Sequence, residues 1–398
     1  MRDNSSIQPS LNFLWSEFQS YYSNASFDLP DRFGRREFAF VLFGRKGMIR
    51  HTAYDKKNVF MKDLAEKAPQ HVYYSSAYYQ IPDAPTMQEK NWMGAELIFD
   101  LDSDHLPNAE KLNYTQQLFE VKKEFKKLVE EFLLDDLGFD SSSLELYFSG
   151  GRGYHCHVKD PVVFDLDSSE RREIVDYITG RDIQDYVIFR EQITARKQYS
   201  GRSYPSSKSL TMPTPDMKGW KGRISRGIID IVDDIKNSEN PIEKLLEYGV
   251  KQKQAEQLAS ELSEQRVQRI KEGMLDQSKT IRKFFLNSAL RKSAVSLGAG
   301  ETDEPVTCDI KRLIRLPFTL HGKTGLQVKK IDIDELNYFN PLNDAVVFGD
   351  KQIKVEVNTP FSMAMNHQHF NLKQGIQEVP EYLAVFLVGS RKATIINQ

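Results

Sequence analysis

Cysteine is almost missing from this sequence: of 398 residues only Cys156 and Cys308 carry a thiol. Two thiols give neither a disulfide framework nor a cysteine-rich zinc site. Long apolar runs are missing too, since no stretch approaches the ~18 residues that span a bilayer. Neither sign of charge dominates: 54 Lys and Arg stand against 56 Asp and Glu, a net of −2. A partner as highly charged as a nucleic acid therefore has to be met by cations concentrated locally. There is no internal repeat and no low-complexity tail. What is left, 40% hydrophobic and 28% charged, describes a globular chain. Its length suits two or three units at ~100–200 residues per domain.

The stretch from Trp92 to Asp104, WMGAELIFDLDSD, stands out against this plain background. Gly94 to Leu101 reads as a buried strand that ends in Asp100 and Asp102. A strand alternates faces with period two, so both carboxylates project to one side while Phe99 and Leu101 point into a core. Two like charges on one face repel unless a cation sits between them, and a hard divalent ion such as Mg²⁺ accepts oxygen ligands. On the D-x-D spacing alone, two solvated aspartates at a strand end are the commoner outcome.

Around this stretch, aromatic residues at helical spacing predict a helix over 12–22. RREFAFVLFGRKGMIRH predicts a hairpin, with Glu37, Arg50 and His51 at its solvated ends. HVYYSSAYYQIP reads as a strand whose tyrosines could also stack on bases or sugars. Residues 115–134 predict an amphipathic helix with Lys122, Lys123, Lys126 and Lys127 on its outer face. Strands follow at 144–148 and 154–158, and helices at 167–186. Residues 195–222, rich in Ser, Pro and Gly, predict a long irregular segment, and 224–296 is mostly helical. Strands or short helices return at 310–316, 345–348 and 354–357, before a last apolar stretch at 382–388.

Two further constellations carry chemistry. Ser149-Gly-Gly-Arg152-Gly-Tyr-His155-Cys-His157 puts three glycines within four positions, where backbone N–H groups can approach a phosphate. Arg152 adds a planar fork for phosphate oxygens, and His155 and His157 share a strand face. An ordinary hairpin, or half of a zinc site, fits the same residues. The second constellation runs from Asp303 through Asp309, Arg315 and His321 to Lys323 and Gly325. Its G-K-T is not a Walker loop, because the GxxxxGK[ST] spacing is missing. Acids for metals, with Ser, Arg, His and Lys for a triphosphate, are the parts required for two-metal nucleotidyl transfer.

Six segments in order resemble the small, catalytic subunit of archaeal and eukaryotic DNA primases, the archaeal form more closely. They are Arg36–Phe40, Val72–Tyr79, Gly94–His105, Tyr147–Val158, Asp303–Leu326 and Val379–Ala393. The resemblance implies an α/β (α+β) fold, a primase-polymerase core of mixed sheets flanked by helices, with an inserted helical subdomain. The implied division is 1–163 and 301–398 for the core and 164–300 for the insertion. It implies metal ligation by Asp100, Asp102 and Asp303, the last preferred to Asp309 for its spacing to His321. It implies triphosphate contacts from Ser149, Arg152, His155, Arg315, His321 and Lys323. Glu37 and Arg50 correspond to positions near the active site.

The implied activity is synthesis of short RNA, or also DNA, primers de novo on single-stranded DNA, with Mg²⁺ or Mn²⁺ and nucleoside triphosphates. The implied partner is a large subunit in a heterodimer; it carries an iron–sulfur cluster that no cysteine cluster here could ligate. The chain departs from the family in one respect. Between Asp102 and Leu146, where many members bind structural zinc, there is only His105 and no cysteine. That predicts loss of the structural zinc. Gly151 stands where the eukaryotic branch has a second arginine. No membrane association is expected, and the opening MRDNSSIQPS lacks the layout of a signal peptide. An intracellular location follows, cytoplasmic in an archaeon and nuclear in a eukaryote. A repair or end-joining primase-polymerase would share these motifs. A non-catalytic nucleic-acid-binding paralogue would be expected to have lost one of the three acids.

Overall fold

A computed structural model of the chain describes residues 7–26, 28–106, 109–275, 279–295, 297 and 306–396. The chain forms two compact units: residues 1–129, 139–175 and 296–398 make one, and 130–138 with 176–295 the other.

Two antiparallel four-stranded sheets form the frame of the first unit. In one, the strand order is Leu313–Arg315, His71–Ser75, Phe38–Val41, Ile49–Thr52. In the other it is Lys329–Ile331, Leu144–Phe148, Gly153–Val158, Leu97–Asp102. The inward faces carry Phe38, Phe40, Val72, Leu97, Phe99, Leu146, Phe148 and Cys156, all buried. Helix Tyr114–Lys127 buries Leu118, Val121 and Phe125 and is closed at its start by an Asn113–Gln116 capping box. Its lysines act locally. Lys122 donates to the carbonyls of Asn337 and Phe339, while Lys123 and Lys127 pair with Glu120 and Glu124.

Helix Ile7–Asn24 is longer than the aromatic spacing predicts, and it is tied down by its tyrosines. Tyr21 donates to the Phe318 carbonyl at 2.7 Å, and the Tyr22 hydroxyl accepts from the Leu320 N–H at 3.1 Å. The last apolar stretch is helix Glu381–Gly389, in which Tyr382 to Val388 are all buried. An apolar surface all round marks a core helix, and no helix among the described residues is long and apolar enough to cross a membrane. Residues 345–348 form neither strand nor helix.

In the second unit, helix Gly219–Lys236 buries Ile224, Ile228, Ile231, Val232 and Ile235, one face at 3.6-residue spacing. It packs on helix Lys279–Ser293 through Gly227, where a Cβ would lie 3.1 Å from that of Ala289. Arg223 is buried beside Glu131 and Asp136 and lies 4.0 Å over the Phe132 ring. The expected irregular segment over 195–222 is largely absent. Arg190–Tyr199 and Arg202–Thr211 pair as a long antiparallel ribbon. Its two-residue turn at Ser200-Gly201 has positive φ at both positions, the primed turn that matches strand twist.

Candidate active site

Asp100 and Asp102 fall on the edge strand Leu97–Asp102, whose other residues are buried. Antiparallel pairing sets Asp100 opposite His155 and Asp102 opposite Gly153. Both aspartates are half-buried and line one cleft of about 1090 Å³. His155 Nε2 lies 3.2 Å from Asp100 Oδ1. Burial by itself raises the Asp100 pKa, but His155, then Arg312 and Arg315, hold it below the usual carboxylate value. The other ring nitrogen of His155, Nδ1, is buried without a hydrogen-bond partner among the described residues.

The glycine turn forms the next wall. Ser149 Oγ accepts from the N–H groups of Gly151 and Gly153, at 3.3 and 3.2 Å. Its own proton remains free to donate, since accepting uses only lone pairs. Gly150 has φ +76°, and a Cβ there would lie 2.8 Å from the Cβ of His321. A Cβ on Gly153 would lie 2.3 Å from the Leu101 carbonyl oxygen. The glycines are thus required for close approach, to His321 on one side and to the aspartate strand on the other. Arg152 pairs with Asp104 at 2.6 Å where both are exposed. Such a pair contributes only ~0–1 kcal/mol, so an incoming phosphate can displace it.

Strand Leu313–Arg315 brings Arg315 opposite Tyr73. The guanidinium lies 5.2 Å over the Tyr73 ring and 2.7 Å from His71 Nδ1. His321 follows in a tight turn, with Thr324 Oγ1 at 3.2 Å from its Nδ1 and donating to the Gly150 carbonyl at 2.5 Å. Burial, then the charges of Arg315, Lys323 and Arg152, keep His321 neutral. Lys323 lines the same cleft.

Of the expected site residues, Asp100, Asp102, Ser149, Arg152, His155, Arg315, His321 and Lys323 therefore line a single cleft. Asp303 lies outside the described residues. His157 is not at the cleft; it is buried, with Nδ1 3.2 Å from the Tyr74 hydroxyl and 3.3 Å from Glu96 Oε2. Glu37, read as a solvated strand end, is fully buried. It accepts from Arg50 at 3.0 and 3.2 Å and from the His51 N–H at 3.0 Å, and Lys90 stands 3.4 Å away. Of the tyrosine run, Tyr74, Tyr78 and Tyr79 are buried and only Tyr73 reaches the cleft.

Three residues of the site carry no special pattern in the sequence. His71 accepts from Arg315; Tyr114 donates to the Gly151 carbonyl at 2.6 Å; Arg312 lines the cleft near Asp100.

The donor set suits a hard divalent cation. Asp100 and Asp102 offer carboxylate oxygens on one strand face, open to the cleft, and neither is paired with Lys or Arg among the described residues. No three His, Cys, Asp or Glu side chains gather at one point among the described residues.

The family model for the DNA primase small subunit matches residues 99–333. The chain is 43% identical to the DNA primase small subunit PriS of Methanosarcina acetivorans over 395 residues, 94% of each chain. It is 40% identical to that of Methanococcoides burtonii, covering 94% of this chain and 96% of that one. With that of Picrophilus torridus it shares 35% identity over 99% of each.

Proposed function

On the premise that this chain belongs to the DNA primase small subunit family, we propose that the cleft between the aspartate strand, the glycine turn and Arg315 is where primers are made. The chain is the catalytic subunit of a primase, a nucleotidyltransferase that synthesises RNA primers. The observation that carries the placement is the meeting of opposite charges across one cleft. Two half-buried carboxylates form one wall, and Arg152, Arg315 and Lys323 stand on the others.

Asp100 and Asp102, joined by Asp303, hold divalent cations, Mg²⁺ or Mn²⁺. Such ions supply a more acidic attacking hydroxyl and neutralise the leaving pyrophosphate. The protein side chains orient the triphosphate. Arg152 and Lys323 meet its oxygens as charged donors, and Arg315, held by His71, presents a fixed fork. Ser149 donates its free hydroxyl proton. His155 keeps Asp100 ionised through Nε2 and lines the cleft beside the ligand. Neutral His321 packs against the glycine turn and fixes its shape.

The helical unit is proposed as an insertion that interrupts the catalytic core. The name of the relatives, small subunit, supports pairing with a large one. We place the cluster-bearing step of initiation in that partner. The relatives are archaeal, which supports action in the cytoplasm, on single-stranded DNA.

The test is unprimed synthesis. The purified chain is incubated with single-stranded DNA, labelled nucleotides and Mg²⁺ or Mn²⁺, with and without the large subunit, beside an Asp100→Asn, Asp102→Asn variant. Short products made from scratch and lost in the variant are expected. Extension of primed templates alone, even with the large subunit, would overturn the proposal in favour of a repair polymerase.

A further inference from the structure

The ribbon Arg190–Tyr199 and Arg202–Thr211 is not explained by the chemistry of the cleft. Two-stranded ribbons are marginal alone in water. This one is anchored at its base, where Leu210 and Thr211 pair with Leu275 and Met274, and the Met212 N–H donates to the Gly273 carbonyl at 2.8 Å. From Arg190 at that base to Ser206, every residue whose side chain is described is exposed. Away from its base the ribbon thus buries none of its described side chains. It carries Arg190, Arg196, Lys197, Arg202 and Lys208 against the single acid Glu191, in a chain whose net charge is −2. Arg196, Lys197 and Arg202 have no carboxylate partner among the described residues.

The register adds a pattern to this charge. Tyr199 pairs with Arg202, and Lys197 with Tyr204. Cross-strand partners share a face, and so do residues two apart along a strand. One face thus shows a checkerboard of two rings and two cations: Tyr199 beside Arg202, then Lys197 beside Tyr204. Tyr199 is 76% exposed and Tyr204 49%. What sets this face apart is the pairing of bare rings with cations, a surface that suits a partner both anionic and planar.

We infer that this face of the ribbon binds single-stranded DNA, the tyrosines stacking on bases and Lys197 and Arg202 meeting phosphates. The inference rests on the primase reading, which supplies the single-stranded template. Base–aromatic stacking tolerates any sequence, as a template surface requires. A protein partner fits less well. The cores of protein interfaces are depleted of lysine, whereas surfaces that bind nucleic acid are strongly positive. Of the described ribbon side chains away from the base, Ile193 is the only large aliphatic one.

The experiment titrates the full chain against a fluorescent single-stranded oligonucleotide over a range of salt. Three variants are compared with wild type: Lys197→Ala with Arg202→Ala, Tyr199→Ala with Tyr204→Ala, and Tyr199→Phe with Tyr204→Phe. Losing two phosphate contacts should flatten the slope of log affinity against log salt by about 1.4. The alanine pair at the tyrosines should weaken binding roughly tenfold or more with the salt slope unchanged, and the phenylalanine pair should restore it. All variants should melt like wild type, because these side chains lie outside the core. Unchanged affinity and slope would overturn the inference while leaving the primase reading intact, provided that wild type still makes primers. Variants that bind DNA normally but no longer retain the large subunit would also overturn it, in favour of a protein-docking ribbon. A wild-type chain that neither binds single strands nor makes primers would overturn both readings.

Discussion

His71 Nδ1 lies 2.7 Å from Arg315 Nη1, and the same nitrogen accepts the Gly322 N–H at 3.3 Å. A guanidinium and an amide can only donate, so Nδ1 carries a lone pair and the ring proton is on Nε2. Burial, then the charges of Arg315 and Lys323, push the His71 pKa down to about 3. His71 is therefore a neutral acceptor through the working pH range. It fixes the Arg315 fork and the start of the His321–Lys323 turn together.

Replacing His71 by alanine should raise the nucleotide KM more than it lowers kcat. One hydrogen bond to a charged group contributes about 1.5–3 kcal/mol, which sets a ceiling near a hundredfold on kcat/KM. His71→Gln, which keeps an acceptor, should recover part of the loss. Because the ring does not charge above about pH 4, the KM–pH profiles of wild type and His71→Gln should run parallel between about pH 5.5 and 8. A kcat-only defect in His71→Ala, or no rescue by glutamine, would sink this role.

The third metal-binding acid can be tested against its neighbour. Asp309 Oδ1 already accepts the Lys311 N–H at 2.9 Å, a local turn that has no need of a metal. Asp303→Asn should abolish synthesis as completely as Asp102→Asn, by roughly a hundredfold or more for an essential charged group. Asp309→Asn should retain most activity. Isothermal titration with Mn²⁺ gives a readout independent of turnover, and heat should fall in Asp303→Asn as in Asp102→Asn, but not in Asp309→Asn. The reverse ranking would move the ligand to Asp309.

The glycine turn predicts a coupled loss of stability and affinity. At Gly150, alanine meets the His321 Cβ at 2.8 Å and the Leu326 carbonyl oxygen at 3.1 Å, with φ already at +76°. Overpacking and a strained φ each cost about 1–3 kcal/mol. Gly150→Ala should therefore lower the melting temperature by several degrees and raise the nucleotide KM, because His321 has to move. A variant with normal melting and normal KM would show that the turn can relax.

The catalytic strand was legible because burial imposes alternation. Phe99 and Leu101 point to the core, which sends Asp100 and Asp102 to the cleft. The glycine turn was legible for a similar reason, since close approach leaves few residue choices. The ribbon was not. A strand exposed on both faces has no apolar alternation, so Ser, Pro and Gly in ARKQYSGRSYPSS read as loop. Glu37 was also misjudged, because a carboxylate buried with Arg50 and Lys90 leaves the same pattern as one at a solvated end. His71 opens a strand of tyrosines, and nothing local marks it as the acceptor for an arginine more than two hundred residues on.

Beneath the site, Arg36 and Glu96 form an ion pair with both side chains fully buried. Arg36 also donates to the Ser75 carbonyl at 2.7 Å and the Asp31 carbonyl at 2.8 Å, and Tyr78 donates to Glu96 at 2.9 Å. Burial by itself would raise the Glu96 pKa, but Arg36 and then His157 outweigh it and hold the carboxyl far below its usual 4.5. Glu145 behaves alike: burial opposes, but Lys159 and Lys330 bring it down to about 2. For both groups the unfolded chain takes up protons at a higher pH than the folded one. Their contribution to stability is thus complete above about pH 5 and is lost progressively as pH falls from there toward 2. Glu96→Gln leaves the Arg36 charge buried and unpaired, at a cost of about 3–5 kcal/mol. The variant should melt well below wild type at neutral pH, yet lose less on acidification, since one of the two titrating carboxyls is gone. Thermal unfolding of both proteins at several pH values checks each part. Equal melting at pH 7, or identical acid slopes, would show that the Arg36–Glu96 pair does not stabilise the sheet that carries Asp100 and Asp102.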